Sequence, residues 1–177
     1  MGKTSNYEKR PRDFYPTPKK AVMPLVGHLP SHFWYAEPCA GNGALIEHLD
    51  TLFQATAFVS KDIEPQADGI EVGNGLDLTE EELQFCDCII TNPPFTWSVL
   101  SPLMDKWVSL KPTVLLLPAD FMHNIRFSKY LNVCTKIVSI GRVKWIEDSK
   151  TGGVENYAWY FFDKDNKQRT QFYGRPI

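Results

Sequence analysis

Thr113-Val114-Leu115-Leu116-Leu117 is apolar without a break. A strand with one wet face alternates apolar and polar side chains. An unbroken apolar run belongs to a strand covered on both faces, at the centre of a mostly parallel sheet. The residues before it support that placement. Positions 97–110 put Val99, Leu100, Leu103, Met104 and Val108 on one side of a helix. Residues 86–91 read as a further buried strand, with Cys86 and Cys88 leading into Ile89-Ile90. Upstream the alternation repeats. A short strand at 33–36 is followed by a helix at 44–53 carrying Leu45, Ile46, Leu49, Leu52 and Phe53 at helical spacing. A strand then runs from 55 to 60 and ends at Asp62, and a short third strand lies around Val72. Strands that alternate with helices pack as a mostly parallel α/β sheet with helices on both faces. Three late strands, 136–140, 143–146 and 156–162, follow without helices between them and predict an antiparallel hairpin at one edge.

The remaining segments have local signals. Phe14-Tyr15-Pro16-Thr17-Pro18 is rigid and extended, because two prolines fix φ and turn the residues before them away from helix. Thr17 is placed to cap a helix with Pro18 at its first position, through Ala21, Val22, Leu25 and Val26. Thr79 with Glu82 has the spacing of a capping box. A short helix is expected within 119–132. Residues 1–13 are polar and without periodicity, and read as a flexible basic arm. Residues 14–177 read as one domain, with no linker inside it.

Composition matters at three points. With 43% hydrophobic and 13% aromatic residues among 177, the chain has the material for a core, which excludes a disordered or disulfide-dependent class. No apolar run reaches the length of a membrane span, and the polar start MGKTSNYEKR lacks the apolar core of a secretory signal. Cys39, Cys86, Cys88 and Cys134 lack metal-ligand spacing and read as reduced core thiols, and His28, His32, His48 and His123 are scattered, so no metal site is expected.

The net charge of −2 conceals a segregation. Residues 1–20 carry six basic and two acidic residues; residues 21–105 carry one basic and thirteen acidic; residues 106–177 carry twelve basic and six acidic. An acidic middle between basic ends suits two different ligands, one of them a polyanion.

Two loops carry the chemistry. Gly41-Asn42-Gly43 lies between a strand and a helix, where glycines let a ligand approach the backbone. The third glycine of a dinucleotide fingerprint is absent, since Ile46 stands in its place, and Glu37 just before the loop disfavours a phosphate and suits an amino group. Asp62 ends the next strand, where open α/β sheets place an acid for ribose hydroxyls. Asn92-Pro93-Pro94-Phe95 directly follows a buried strand. Its prolines impose a rigid turn, its Asn92 oxygen and Pro93 carbonyl form a pair of acceptors that match an NH2 group, and Phe95 offers a flat face to a nucleobase.

Together these residues resemble the class I methyltransferases that use S-adenosylmethionine, and more narrowly the DNA adenine-N6 methyltransferases of the gamma order, of the compact phage-encoded type. The resemblance spans about residues 14–162 and implies a Rossmann-like fold. It implies Asn92, Pro93, Pro94 and Phe95 as the catalytic motif, with Asn92 also beside the cofactor. Phe14-Tyr15-Pro16-Thr17-Pro18 looks like the segment lining the methionine end of the cofactor, which assigns Tyr15 and Thr17 to binding. Residues 37–43 resemble the first cofactor motif and assign Glu37, Pro38, Gly41 and Gly43. Asp62 and Ile63 are similar to the ribose-binding acid and the adenine-packing apolar residue. Asp77 matches the acid that meets the cofactor adenine. Residues 142–145 and 159–162 look like the hairpin near the target base. The implied product is S-adenosylhomocysteine, with no metal; the implied partner is DNA, with no membrane; the implied place is the bacterial cytoplasm. Members of the family often carry a separate target-recognition domain, for which this chain leaves no room, so a homodimer or a partner supplying target recognition is the expected substitute. Two readings compete. One is a methyltransferase acting on RNA adenine or a protein glutamine amide; the other is a silent binding module with the same fold.

Overall fold

The computed structural model describes residues 15–145 and 153–175. The basic arm, Phe14 and residues 146–152 of the late loop lie outside the described residues. Five parallel strands come first: β1 (Trp34–Glu37), β2 (Thr56–Asp62), β3 (Glu71–Val72), β4 (Cys88–Thr91) and β5 (Thr113–Pro118). They are followed by β6 (Cys134–Arg142), β7 (Asn156–Phe162) and β8 (Gln171–Tyr173). The eight form one sheet in the order β3-β2-β1-β4-β5-β7-β6-β8. β7 is antiparallel to both neighbours, while β8 pairs parallel with β6. The helices are α1 (Lys19–Val22), α2 (Ala44–Phe53) and α3 (Trp97–Leu110).

All six residues of β5 are buried. Successive side chains of a strand point to opposite faces, so a strand between two layers needs an apolar residue at every position. Leu115 and Leu117 join Ile89, Leu100, Leu103, Met104 and Trp107 on one face. Val114 and Leu116 join Ile90, Leu45, Leu49, Phe53 and Trp159 on the other.

Five local expectations change. α1 starts at Lys19 and stops at Val22, and its cap, Pro18, makes no side-chain cap bond. Thr17 is not the cap, because its hydroxyl accepts a hydrogen bond from Asn92. Thr79 and Glu82 do exchange their reciprocal bonds, at 2.9 and 3.2 Å, but residues 80–85 form turns, and Glu82 is also ion-paired with Lys61. Residues 143–145 form no strand, and the strand expected at 136–140 is part of β6. A register shift and Gly141, at φ +83°, end it before Val143. The hairpin of β6 and β7 is not the sheet edge, because β8 lies outside it. Three exposed residues are too few to show a strand period. Finally, 119–132 forms two 3-10 helices, Ala119–His123 and Ile125–Tyr130.

Candidate functional site

The chain leaves β1 towards β2 and β3 on one side of the sheet and leaves β4 towards β5 on the other. Loops that diverge in this way open a crevice at the carboxyl ends of the strands. A cavity of about 590 Å³ lies there, within the range of small-molecule sites. Tyr15, Pro16 and Thr17 line one wall, the loop after β1 a second, and Asp62, Ile63, Glu64 and Gln66 a third. Asn74, Gly75, Asn92, Pro94, Thr96, Val99 and Leu103 complete it.

The loop after β1 depends on its glycines. Gly41 sits at φ +54° and Gly43 at φ +78°, in the left-handed region that a side chain disfavours. Asn42 Oδ1 accepts the N–H of Ala44 at 3.2 Å as α2 begins. Asp62 joins the loops: Oδ2 accepts the Gly41 N–H and Oδ1 the Glu64 N–H, both at 2.8 Å. Glu37 is 2% exposed, and its Oε2 has no hydrogen-bond partner among the described residues. Burial raises its carboxyl well above the ordinary carboxylate range, and the nearby Asp62 charge adds to the shift. A buried acid with an unfilled oxygen on a cavity wall fits a ligand that brings its own positive charge.

Asn92 emerges from the end of β4 with its amide oriented by the opposite wall. Its Nδ2 donates to the Tyr15 carbonyl at 3.3 Å and to Thr17 Oγ1 at 3.2 Å. A carbonyl only accepts, so the NH2 must face it, and Oδ1 is left as the buried acceptor without a partner among the described residues. Phe95 turns away from the cavity towards Tyr157 at 5.7 Å and Trp145 at 6.4 Å, and Trp145 lies 6.2 Å from Tyr15. Trp145 Nε1, like Glu37 Oε2 and Asn92 Oδ1, is a buried polar atom without a partner among the described residues.

Nine of the residues marked from sequence therefore meet at one cavity: Tyr15, Thr17, Glu37, Pro38, Gly41, Asp62, Ile63, Asn92 and Pro94. Four do not line it. Gly43 serves the turn into α2, Pro93 is buried behind the loop, and Phe95 belongs to the aromatic group beside the cavity. Asp77 is exposed at the end of the 3-10 helix Gly75–Asp77. Asn74 and Gly75 take that wall instead, held by the Trp107 Nε1 bond to the Gly75 carbonyl at 2.8 Å. The adjacent Asn-Gly pair is a turn signal that marks this bend, and Val99 and Leu103 have the four-residue spacing of one helix face. Gln66 and Thr96 carry no such signal. No group of three or more His, Cys, Asp or Glu side chains placed for a metal occurs among the described residues, and no described helix is long and apolar enough to cross a membrane.

No family profile matches the chain, and no curated protein matches it by sequence. Solved structures do. A type I restriction-modification system methyltransferase subunit from Streptococcus thermophilus aligns with a TM-score of 0.57 at 11% identity, over 90% of this chain and 47% of its own length. The chain thus spans about half of that subunit. A protein of Pyrococcus horikoshii described as a candidate RNA methyltransferase aligns with a TM-score of 0.59 at 15% identity, over 85% of this chain and 87% of its own. The 23S rRNA methyltransferase ErmE aligns with a TM-score of 0.53 at 10% identity, over 86% and 70%. With β7 antiparallel in an otherwise parallel sheet and the cavity at the β1–β4 switch, the chain has the Rossmann-like fold of the class I methyltransferases.

Proposed function

We propose that the chain transfers the methyl group of S-adenosylmethionine to the exocyclic N6 of adenine in DNA. The observation that carries this reading is the amide of Asn92, whose NH2 is tied to Tyr15 and Thr17 and whose oxygen is left as an acceptor. The donor set of the cavity fits the cofactor. Glu37 would take its ammonium, Asp62 would lie at its ribose, and the exposed Ile63 with Val99 and Leu103 would pack its adenine. When bound, S-adenosylmethionine supplies a methyl group already activated by its sulfonium, so the protein needs neither a metal nor a strong base. The lone pair of an adenine amino group is spread into the ring, which makes it a poor nucleophile. Asn92 Oδ1 and the Pro93 carbonyl would accept its hydrogens, return density to nitrogen and stabilise the charge that develops there. Phe95, backed by Tyr157 and Trp145, would stack the base after it leaves the duplex. Arg142 and Lys144 are exposed on the segment leading to Trp145, where a phosphate backbone would pass.

Asn92→Ala tests the reading. Methyl transfer to DNA should fall by about 100-fold or more, as for loss of a preorganised hydrogen-bond group, with cofactor affinity within a few-fold of the parent. Labelled cofactor offered with DNA, RNA or protein, followed by nucleoside and amino-acid analysis, identifies the acceptor. Near-normal turnover by the variant, or label in RNA or glutamine alone, would overturn it.

A further inference from the structure

We propose that Ile125 is a wedge that enters the base stack of duplex DNA at the place the target adenine leaves. The proposal rests on the DNA reading of the site. Among the described residues Ile125 is the most exposed large apolar side chain, at 85%. A single exposed isoleucine is ordinary; its support and its location are not. The segment that carries it leaves β5 at Pro118, which pairs with Tyr157 of β7. The Tyr157 ring packs on Phe95, so the segment departs from the same end of the sheet that would hold the extruded base.

The tip is pinned on both sides. Before it, Phe121 packs edge-on to Trp97 at 6.5 Å, and Tyr160 Oη donates to the Ala119 carbonyl at 3.0 Å. After it, Phe127 and Tyr130 are buried in the core. The Asn124 N–H donates to the Phe121 carbonyl, the Phe127 N–H to the Asn124 carbonyl, and Ser128 Oγ to the carbonyl of Ile125 itself at 2.6 Å. Phe121, Met122, Phe127 and Tyr130 pack on the core, whereas Ile125 is held outward, twice as exposed as Leu131 at the segment's end, 85% against 42%. A β-branched side chain is stiff, so little freedom is lost when it inserts. His123, Asn124 and Arg126 are exposed around it and can meet phosphates and base edges. Lys129 does not join them, because its ammonium is bound to both oxygens of Asp105 at 2.7 Å. An extruded base leaves a gap in the stack, and apolar side chains of this size insert between base steps in DNA-bending proteins.

The experiment compares one target sequence in three forms: fully paired, unpaired at the adenine, and single-stranded. Ile125→Ala should lower methylation of the paired form by about tenfold or more, the scale of a lost stack-filling contact, and leave the single strand within twofold. Pairing loss at the adenine should restore the variant, and Ile125→Met, which keeps apolar bulk, should retain duplex activity. Equal rates of variant and parent on all three forms, or an equal loss on all three, would overturn the wedge while the DNA reading stood. A parent enzyme active on single strands alone would do the same. A parent that methylates no DNA in any form would overturn the reading of the site and the wedge with it.

Discussion

Glu37 and Asn92 show what burial does to a single residue. Glu37 is charged in the unfolded chain above its ordinary value of 4.5 and is held neutral to higher pH when folded, through desolvation and then the Asp62 charge. Between those two values the folded state binds more protons than the unfolded one, so the stability of the ligand-free protein falls as pH rises. Glu37→Gln keeps the shape and removes the titration. The denaturation midpoint of the variant should therefore gain on the parent as pH rises above 5, and the difference should vanish below about pH 4. Cofactor binding should run the other way. A cationic amino group recruits the ionised form, so proton release should accompany binding, measurable as a calorimetric heat that changes with the ionisation enthalpy of the buffer. A pH-independent difference between parent and variant would mean that Glu37 is already charged in the folded protein.

At the scale of elements, the cavity owes its far wall to the contact between α3 and the 3-10 helix Gly75–Asp77. A β-carbon at Gly75 would lie 2.7 Å from the Trp107 ring, 3.3 Å from Leu103 and 3.3 Å from Pro38. Trp107 is fully buried and its indole N–H is bonded to Gly75, so the ring has nowhere to retreat. Gly75→Ala should destabilise the fold by about 1–3 kcal/mol through overpacking. Because Leu103, Pro38 and Gly75 all line the cavity, cofactor affinity should fall as well. Chemical denaturation with a parallel binding titration checks both, and an unchanged midpoint would show that the wall yields.

Over the whole molecule, charge is segregated along the sheet. The strands from β1 to β4 and α3 as far as Asp105 belong to the acidic stretch, and β5 to β8 to the basic one. The cavity lies on the acidic side, where a cationic ligand is favoured, and the segment with Arg142 and Lys144 on the basic side, where a polyanion is. DNA affinity should drop steeply with salt, with a log–log slope of about −0.9 for each phosphate neutralised. Removing residues 1–12, which takes away Lys3, Lys9, Arg10 and Arg12, should flatten that slope. A slope near zero in the intact chain would mean that the partner is not a polyanion.

The central strand, α2, α3 and the two site loops were legible because each has a local cause. An unbroken apolar run, a 3.6-residue period, a glycine at positive φ and a pair of prolines act within a few residues of chain. The added edge of β8 was not legible, since its three exposed residues become a strand only by pairing with β6, far back along the chain. Thr17 has the residue type of a helix cap, yet Asn92, 75 positions away, takes its hydroxyl. Asp77 has the residue type of a binding acid, yet the bend anchored by Trp107 presents Asn74 and Gly75. Residue type states what a side chain is able to bond. Which of its possible partners arrives is a matter of long-range packing, in which a buried polar group must find a mate wherever the sheet has brought one.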